Sequence, residues 1–271
     1  MRLSIRHTTR YSFTQPVVHA LQRLRLTPKE TQGQKILDWQ MEYENASPEL
    51  QYEDQHCNTV TLVSVESGAS EVVITCHGTV DTQDSAGIIG RHSGHLPLWC
   101  FLSQTKLTKP GQAIRNIVRE LPDPDEDKLA FLHALSSRIR DWVSYEIGRT
   151  GVDTTGEEAA VAGHGVCQDH AHIFIGAARS MEIPARYVSG YLMMDDRIEQ
   201  EASHAWAEAH IDGLGWVGFD ISNGISPDPR YVRVATGRDY RDAAPITGIS
   251  YGGTEGALRV DIAVEQQQVE Q

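Results

Sequence analysis

The first hundred residues repeatedly alternate apolar and polar positions with a period of two. Residues 2–13 place their apolar side chains at odd positions, namely Leu3, Ile5, Tyr11 and Phe13. The alternation returns in KILDWQMEY, with Leu37, Trp39, Met41 and Tyr43 on one side, and in EVVITCHGTV, with Val72, Ile74, Cys76 and Val80. A period of two predicts strands that have one face in water. Because turn-rich segments separate these short strands, an antiparallel sandwich or a small barrel is favoured.

The pattern becomes helical after the segment LTKPG. Residues 126–143 repeat apolar side chains at three- and four-residue steps, which predicts an amphipathic helix. The repeated positions are Leu129, Leu132, Leu135, Ile139 and Trp142. Thr155 and Glu158 have the spacing of a capping box and predict a short helix that ends near Gly163. A further helix and then strands follow, and alternation returns at residues 258–264 in Leu258, Val260, Ile262 and Val264.

These patterns divide the chain into two predicted regions. Residues 1–105 are β-rich and sandwich-like, whereas residues 106–271 mix helices and strands. The predicted class is therefore α+β. The chain has 271 residues of which 40% are hydrophobic, a composition that supports a packed core in each region.

Charge and cysteine content narrow the possible partners. The formal net charge of -13 disfavours nucleic acid and anionic membrane surfaces. The N-terminal MRLSIRHTTRYSF lacks the apolar core of a secretory signal, and no apolar run approaches the roughly 18 residues of a membrane span. The four cysteines are sparse and irregularly spaced, which is typical of reduced thiols. We therefore predict a cytoplasmic protein, and the sequence does not indicate its oligomeric state.

One short segment, GHGVCQDHAH, concentrates reactive side chains around Cys167. The two glycines end the preceding helix, and the apolar stripe that follows places Cys167 in the first turn of a new helix, where a thiolate is stabilised. A buried, unreactive thiol is the simplest alternative. A zinc site formed by Cys167 with His164, His170 and His172 is another, but a regular helix turns these histidines in different directions. No metal site is predicted.

A histidine able to serve a cysteine nucleophile is found downstream, in EASHAWAEAHIDGLGWVGFD. His204 lies on one predicted strand and Asp220 at the end of the next, an arrangement that orients an imidazole. With a four-residue loop the two side chains would point to opposite faces. We therefore predict an odd-length loop or a bulge between them. Glu208 is an alternative carboxylate and His210 an alternative histidine, whereas His77, His92 and His95 are predicted to be on the surface.

Three ordered motifs, GVCQDHAHIFIGAARSMEIPARYVSGY, SHAWAEAHI and GWVGFD, together resemble the transglutaminase-like superfamily over roughly residues 120 to 240. The resemblance implies a papain-like α+β core in which a helix bearing the cysteine packs on an antiparallel sheet. It places the nucleophile on Cys167, the base on His204 and the carboxylate on Asp220. The N-terminal region is similar to the β domain that precedes this core in a bacterial subgroup.

The resemblance also implies acyl transfer through a thioester on a peptide or glutamine carboxamide of a peptide or protein substrate. Hydrolysis by a protease or amidase is favoured over transamidation, and a non-enzymatic peptide-binding scaffold is the alternative from another class. No cofactor is expected, and the sequence shows no calcium loop. Asp169 is expected to cap the start of the helix that bears Cys167 or to pair with a nearby arginine. The backbone N–H of Cys167 is one oxyanion donor, and no residue is assigned as the second.

Overall fold

The computed structural model describes residues 1–251 and 255–267. The strands within these residues are β1 (Arg2–Phe13), β2 (His19–Leu24), β3 (Gln34–Glu44), β4 (Ala46–Glu53), β5 (Thr59–Val65), β6 (Glu71–Thr82), β7 (Ile88–Gly90), β8 (Ser144–Tyr145), β9 (His164–Gly165), β10 (Ala185–Leu192), β11 (Glu199–Gln200), β12 (His204–Ile211), β13 (Gly215–Phe219), β14 (Tyr231–Gly237), β15 (Ile246–Tyr251) and β16 (Glu255–Gln266). The helices are α1 (Gln112–Val118), α2 (Lys128–Trp142), α3 (Gly156–Ala162), α4 (Cys167–Ser180) and α5 (Tyr240–Ala243), with a 3-10 helix at Leu98–Phe101.

The β-rich region is a sandwich of two antiparallel sheets, as predicted. One sheet has the strand order β11-β16-β1-β6-β3 and the other β15-β2-β5-β4. Alternating side chains of the two sheets meet in one apolar core, because every second residue of a strand points to the same face. That core includes Ala20, Leu24, Val63 and Val65 from the second sheet and Val72, Ile74 and Cys76 from the first.

Strand β3 confirms most of the alternation read from KILDWQMEY, with one correction. Trp39, Met41 and Tyr43 pack against the sandwich core. Leu37 does not share their face, and 41% of this residue is exposed. The reason is a shift in the β3–β6 register between Ile36 and Asp38, since a bulge reverses the alternation on one side of it.

Both sheets of the sandwich are completed by strands from the other end of the chain. Strand β16 pairs with β1, and β15 pairs with β2. Ile262 and Val264 of β16 are buried, whereas Leu258 in the same alternating series is 57% exposed. The division between residues 105 and 106 remains a prediction, and the last two strands lie with the sheets of the first region.

The third sheet supports the helices and has the order β14-β10-β12-β13-β7. Helix α4 packs on one face of it, where β12 presents Ala205, Ala207 and Ala209 to the core. These small side chains allow the helix backbone to approach the sheet closely. The protein is thus α+β, with a helix-on-sheet core and a β-rich N-terminal region.

The helices flanking α4 confirm the sequence patterns. Helix α2 buries Leu132, Leu135 and Ile139, and Asp127 caps its first turn by accepting from the Ala130 N–H. Trp142, the last residue of the predicted stripe, is 41% exposed. The α3 capping box is formed by both of its predicted residues, and the helix ends at residue 163 in a left-handed glycine.

Hydrogen bonds connect the sandwich to the third sheet. The Gln34 side chain of β3 donates to the Arg233 carbonyl of β14 and accepts from its N–H, both at 2.8 Å. His7 of β1 lies 2.9 Å from the Tyr191 hydroxyl of β10. Among the described residues, no helix has the length and apolar character needed to span a bilayer.

Candidate active site

Cys167 is the first residue of α4, as the apolar stripe predicted. The preceding turn is fixed by Asp169, whose Oδ2 accepts from the Val166 N–H at 2.8 Å and from the Thr150 hydroxyl at 2.6 Å. A side chain at position 165 would be blocked, since a Cβ added to Gly165 would lie 2.7 Å from the Asp169 Cβ. Asp169 therefore caps the helix as expected, and the half-buried Cys167 thiol lies where unpaired N–H groups stabilise a thiolate.

His204 and Asp220 meet because the loop between their strands has an odd length. Strand β12 pairs with β13 so that Ile211 faces Gly215, which leaves a loop of residues 212–214. The predicted odd-length loop is confirmed. His204 Nε2 lies 2.6 Å from Asp220 Oδ2, with 8% of the histidine side chain and none of the aspartate side chain exposed.

Asp220 is held in a dense set of hydrogen bonds. Its Oδ2 also accepts from the Tyr231 hydroxyl and from Asn223 Nδ2, each at 2.7 Å, and its Oδ1 accepts from the Asn223 N–H at 3.2 Å. Burial raises the pKa of this carboxyl, but hydrogen bonds from His204, Tyr231 and Asn223 outweigh burial and lower it. Asp220 is therefore ionised at neutral pH although water does not reach it.

The electrostatic surroundings favour the charged form of His204. Burial lowers the pKa of the imidazole, whereas the hydrogen bond to Asp220 and the interaction with the Cys167 sulfur raise it to about 10. Nε2 is occupied by Asp220, so Nδ1 is the ring nitrogen left for the thiol. Trp206 stacks on the ring with centroids 6.2 Å apart. The geometry thus supports an imidazolium beside Cys167.

Tyr145 is a site residue that sequence reasoning missed. The two-residue strand β8 runs parallel to β9 and places Tyr145 opposite Gly165, two positions before Cys167. Its hydroxyl hydrogen-bonds to the Cys167 sulfur, and burial, Cys167 and Asp220 raise the pKa of Tyr145 to about 12. Tyr145 therefore stays protonated near neutral pH and can donate a hydrogen bond toward the thiol. The pairing that brings it there has no periodic signal in the sequence.

The histidines on α4 have partners other than a metal. His170 lies 3.1 Å from the Val143 carbonyl through Nε2 and 2.8 Å from the Ser222 hydroxyl through Nδ1. His172 Nε2 accepts from a backbone N–H, at 3.2 Å. Among the described residues, no group of converging metal-ligand side chains includes Cys167. The zinc alternative for GHGVCQDHAH therefore has no support from the geometry.

The alternative carboxylate, Glu208, has a different set of partners. It is fully buried and lies 2.7 Å from Arg186 Nε and 2.6 Å from Arg233 Nε. Its charge is thereby committed to two guanidinium groups rather than to a histidine. His210 packs edge-on against the Trp216 ring at 5.4 Å. His92 likewise contacts Trp216, which donates to His92 Nδ1 at 3.1 Å, so the surface prediction fails for His92 because the aromatic cluster partly buries it.

Two family models match the chain. The model of the transglutaminase-like superfamily matches residues 115–221, which include all three residues of the site. Residues 115–221 are a transglutaminase-like core. The model of the bacterial transglutaminase-like N-terminal region matches residues 3–81, within the sandwich. The resemblance carried by the three sequence motifs and the separate likeness of the N-terminal region are thus both confirmed.

Relatives of this chain extend over nearly its whole length. A Mycobacterium leprae protein described as uncharacterised is 29% identical, with 97% of this chain and 98% of the relative covered. A Mycobacterium bovis protein with the same description is 28% identical, with 97% and 92% covered. A solved Cytophaga hutchinsonii structure, described as a candidate cysteine protease, covers 100% of this chain and 93% of its own, with a TM-score of 0.73 at 21% identity. At that identity the likeness establishes the fold.

Proposed function

We propose that this protein is an enzyme that transfers acyl groups through a thioester on Cys167. His204 acts as the acid and base, and Asp220 orients it. The observation that carries the proposal is the contact of His204 with both Asp220, at 2.6 Å, and the Cys167 sulfur. A nucleophile, a base and an orienting group in one chain of contacts is the arrangement that activates a thiol.

Acylation uses the groups described above. The Cys167 thiolate attacks the carbonyl carbon of an amide, and the electrons of the C=O bond move to the oxygen. The backbone N–H of Cys167 and the start of α4 favour the resulting negative charge. When the intermediate collapses, the C–N bond breaks, and the leaving nitrogen takes the proton from His204 Nδ1. The products are a thioester and a free amine or ammonia.

Deacylation reverses the proton path. Neutral His204 removes a proton from water, the hydroxide oxygen attacks the thioester carbon, and the Cys167 thiolate leaves with its electron pair. An amine in place of water would give transamidation. We favour hydrolysis because Cys167 and Tyr145 are both partly exposed, so water can approach the thioester.

The buried carboxylate argues for an enzyme rather than a peptide-binding scaffold. An ionised Asp220 with no exposed surface costs solvation free energy. Peptide binding alone does not require that cost, whereas stabilising an imidazolium does. We expect a peptide or protein substrate with a glutamine carboxamide or a peptide bond at the reacting position, and neither nucleic acid nor membrane as a partner. The four free cysteines fit a reducing compartment, for which we propose the cytoplasm.

A panel of glutamine-containing peptides tests the proposal. Wild-type protein is incubated with each peptide with and without a primary amine, and ammonia release, peptide cleavage and amine incorporation are measured. We expect turnover that is lost in Cys167→Ala and kept in the matched control Cys100→Ala. Products without amine incorporation support hydrolysis, and incorporated amine supports transamidation. Turnover that survives Cys167→Ala would refute the thioester mechanism.

A further inference from the structure

The turn between β4 and β5 presents a second cysteine in a fixed conformation. Cys57 has a left-handed backbone with φ of 57°. Asp54 holds the turn in that shape, because its Oδ1 accepts from the N–H groups of His56, at 2.9 Å, and Asn58, at 3.0 Å. Arg25 Nε donates to the other carboxylate oxygen at 3.1 Å. The backbone of the turn that carries Cys57 is therefore held by a buried network of hydrogen bonds.

Two further ligand-type side chains converge on this thiol. Glu53 is the last residue of β4, and His95 comes from the loop that follows β7. His95 Nε2 lies 3.3 Å from Glu53 Oε1, and the ligand atoms of Glu53, Cys57 and His95 all lie within 4.8 Å of one another. Gly94 lies beside the cysteine, since a Cβ there would be 3.4 Å from its sulfur, and its φ of 137° is a backbone conformation that favours glycine.

Thiolate, imidazole and carboxylate are the donor set that zinc prefers. Around a tetrahedral zinc ion, bonds of about 2.0 to 2.3 Å place neighbouring ligand atoms roughly 3.3 to 3.6 Å apart. The separation between His95 Nε2 and Glu53 Oε1, 3.3 Å, already has this value. Side-chain movements of about 1 Å would bring all three ligand atoms to tetrahedral separations. We propose that Glu53, Cys57 and His95 form a binding site for a zinc-type divalent cation, with water at the fourth position.

The nearby Lys29 does not oppose a cation at this site. Its ammonium donates to the carbonyl oxygens of His56, at 2.9 Å, and Cys57, at 2.5 Å, and to Asn58 Oδ1 at 2.9 Å. These contacts hold the Lys29 ammonium on oxygen acceptors of the turn itself.

A bound cation would join two segments that the chain separates by nearly forty residues. The loop bearing His95 leads to Phe101, which packs edge-on against Trp216 of β13 at 5.2 Å. The cation would therefore connect the sandwich to a segment lining the sheet that carries His204. Its contribution is to stability, because none of the three ligands touches Cys167 or His204 in the contacts described.

Cobalt titration of the full chain tests this site apart from the proposed activity. The protein carries Cys167→Ala, so that the active-site thiol cannot bind the metal, and chelator-treated protein is titrated with Co²⁺. We expect saturable 1:1 binding with a thiolate-to-cobalt charge-transfer band. Cys57→Ser should abolish the band, and Glu53→Gln and His95→Ala should each raise the dissociation constant about 10-fold or more. Cys100→Ala and His77→Ala are matched controls that should leave the titration unchanged.

A second measurement keeps the test decisive if Cys57→Ser fails to fold. Zinc should raise the melting temperature of the Cys167→Ala protein, and this rise should be lost in His95→Ala, whose side chain is 76% exposed and contributes little to the core. The proposal is overturned if no thiolate–cobalt band forms, if the band is the same in His95→Ala, or if zinc raises the melting temperature equally with and without His95.

Discussion

His204 and Asp220 lie 2.6 Å apart although sixteen positions separate them in the chain. The contact depends on a loop of three residues, since a loop with one more would turn the two side chains to opposite faces of the sheet. The carboxylate then determines the charge of the imidazole, and the imidazole faces the cysteine. A change at Asp220 should therefore be detectable at Cys167, which Asp220 does not touch.

Asp220→Asn should lower the reactivity of Cys167. An amide cannot stabilise an imidazolium as a carboxylate does, so the pKa of His204 should fall from about 10 and its charged form should be lost at lower pH. We expect turnover to fall on the order of 10³ to 10⁴-fold. Alkylation by iodoacetamide near pH 6 to 7, followed at Cys167 by mass spectrometry, should slow toward the rate of an ordinary, unactivated thiol.

Asp212→Asn is the matched control for this change. Asp212 lies in the loop between the same two strands, with 83% of its side chain exposed, and pairs with Lys128 at 2.7 Å. We expect its alkylation profile to match that of the wild type. If Asp220→Asn and Asp212→Asn alkylate Cys167 at the same rate, the carboxylate does not set the state of His204.

Tyr145→Phe should lower the reactivity of the site while leaving Cys167, His204 and Asp220 in place. The substitution deletes the hydroxyl that hydrogen-bonds to the Cys167 sulfur. A hydrogen bond to a charged group contributes about 1.5 to 3 kcal/mol, so we expect the alkylation rate and kcat/KM to fall about 10- to 100-fold. Tyr52→Phe, at a tyrosine that is 40% exposed on β4, is the control. Unchanged kinetics in Tyr145→Phe would mean that its hydroxyl has no part in the reaction.

The elements with a regular side-chain period could be predicted from the sequence. Helix α2, the α3 capping box and the alternating strands depend on neighbours two to four residues away, which the sequence displays directly. The odd loop between β12 and β13 was predictable for another reason. His204 and Asp220 had to share a face for the expected chemistry, and only an odd-length loop or a bulge allows that.

The contacts that sequence reasoning missed come from pairings between distant segments. Tyr145 reaches Cys167 through the two-residue pairing of β8 with β9. Tyr231 reaches Asp220 from the start of β14. Strand β16 crosses back to β1. None of these pairings has a local pattern, because each depends on how complete elements pack. The exposure of Leu37 could not be predicted for the same reason, because the bulge beside it belongs to the pairing of β3 with β6.

Glu208→Gln should destabilise the fold strongly. Glu208 is the shared anion of Arg186 and Arg233, and all three side chains are buried. Removing the charge leaves two guanidinium groups without a counterion, which costs about 3 to 5 kcal/mol in comparable sites. Urea unfolding monitored by circular dichroism measures the loss.

Glu42→Gln is the control for the loss of a glutamate charge. Glu42 lies 3.3 Å from His77 in a pair whose glutamate side chain is 64% exposed, and such pairs contribute at most about 1 kcal/mol. Equal losses in the two variants would show that the buried ion cluster has no special role in stability.

Mild acid should destabilise the protein through two buried histidines. Burial lowers the pKa of His7 to about 4 and that of His172 to about 3, against about 6.5 in an unfolded chain. Between about pH 6.5 and pH 4 the unfolded chain therefore binds protons that the folded protein does not. The free energy of unfolding should fall by about 1.4 kcal/mol per pH unit for each histidine. His204 does not offset this loss, because its raised pKa keeps it protonated in both states well below pH 6.5.

The quantity to measure is the slope of the free energy of unfolding against pH, rather than the free energy at any one pH. Urea unfolding of the wild type from about pH 6 to about pH 5 should show a steady decline that His7→Gln makes shallower, since that variant has one titrating group fewer. His7→Gln lowers stability at every pH as well, because it disturbs the hydrogen bonds to Tyr191 and Thr9, but this loss shifts the line without changing its slope. His19→Gln, at an exposed position of β2, should follow the wild type. A His7→Gln slope equal to that of the wild type would mean that His7 is already protonated in the folded protein, in spite of its burial beside Tyr191.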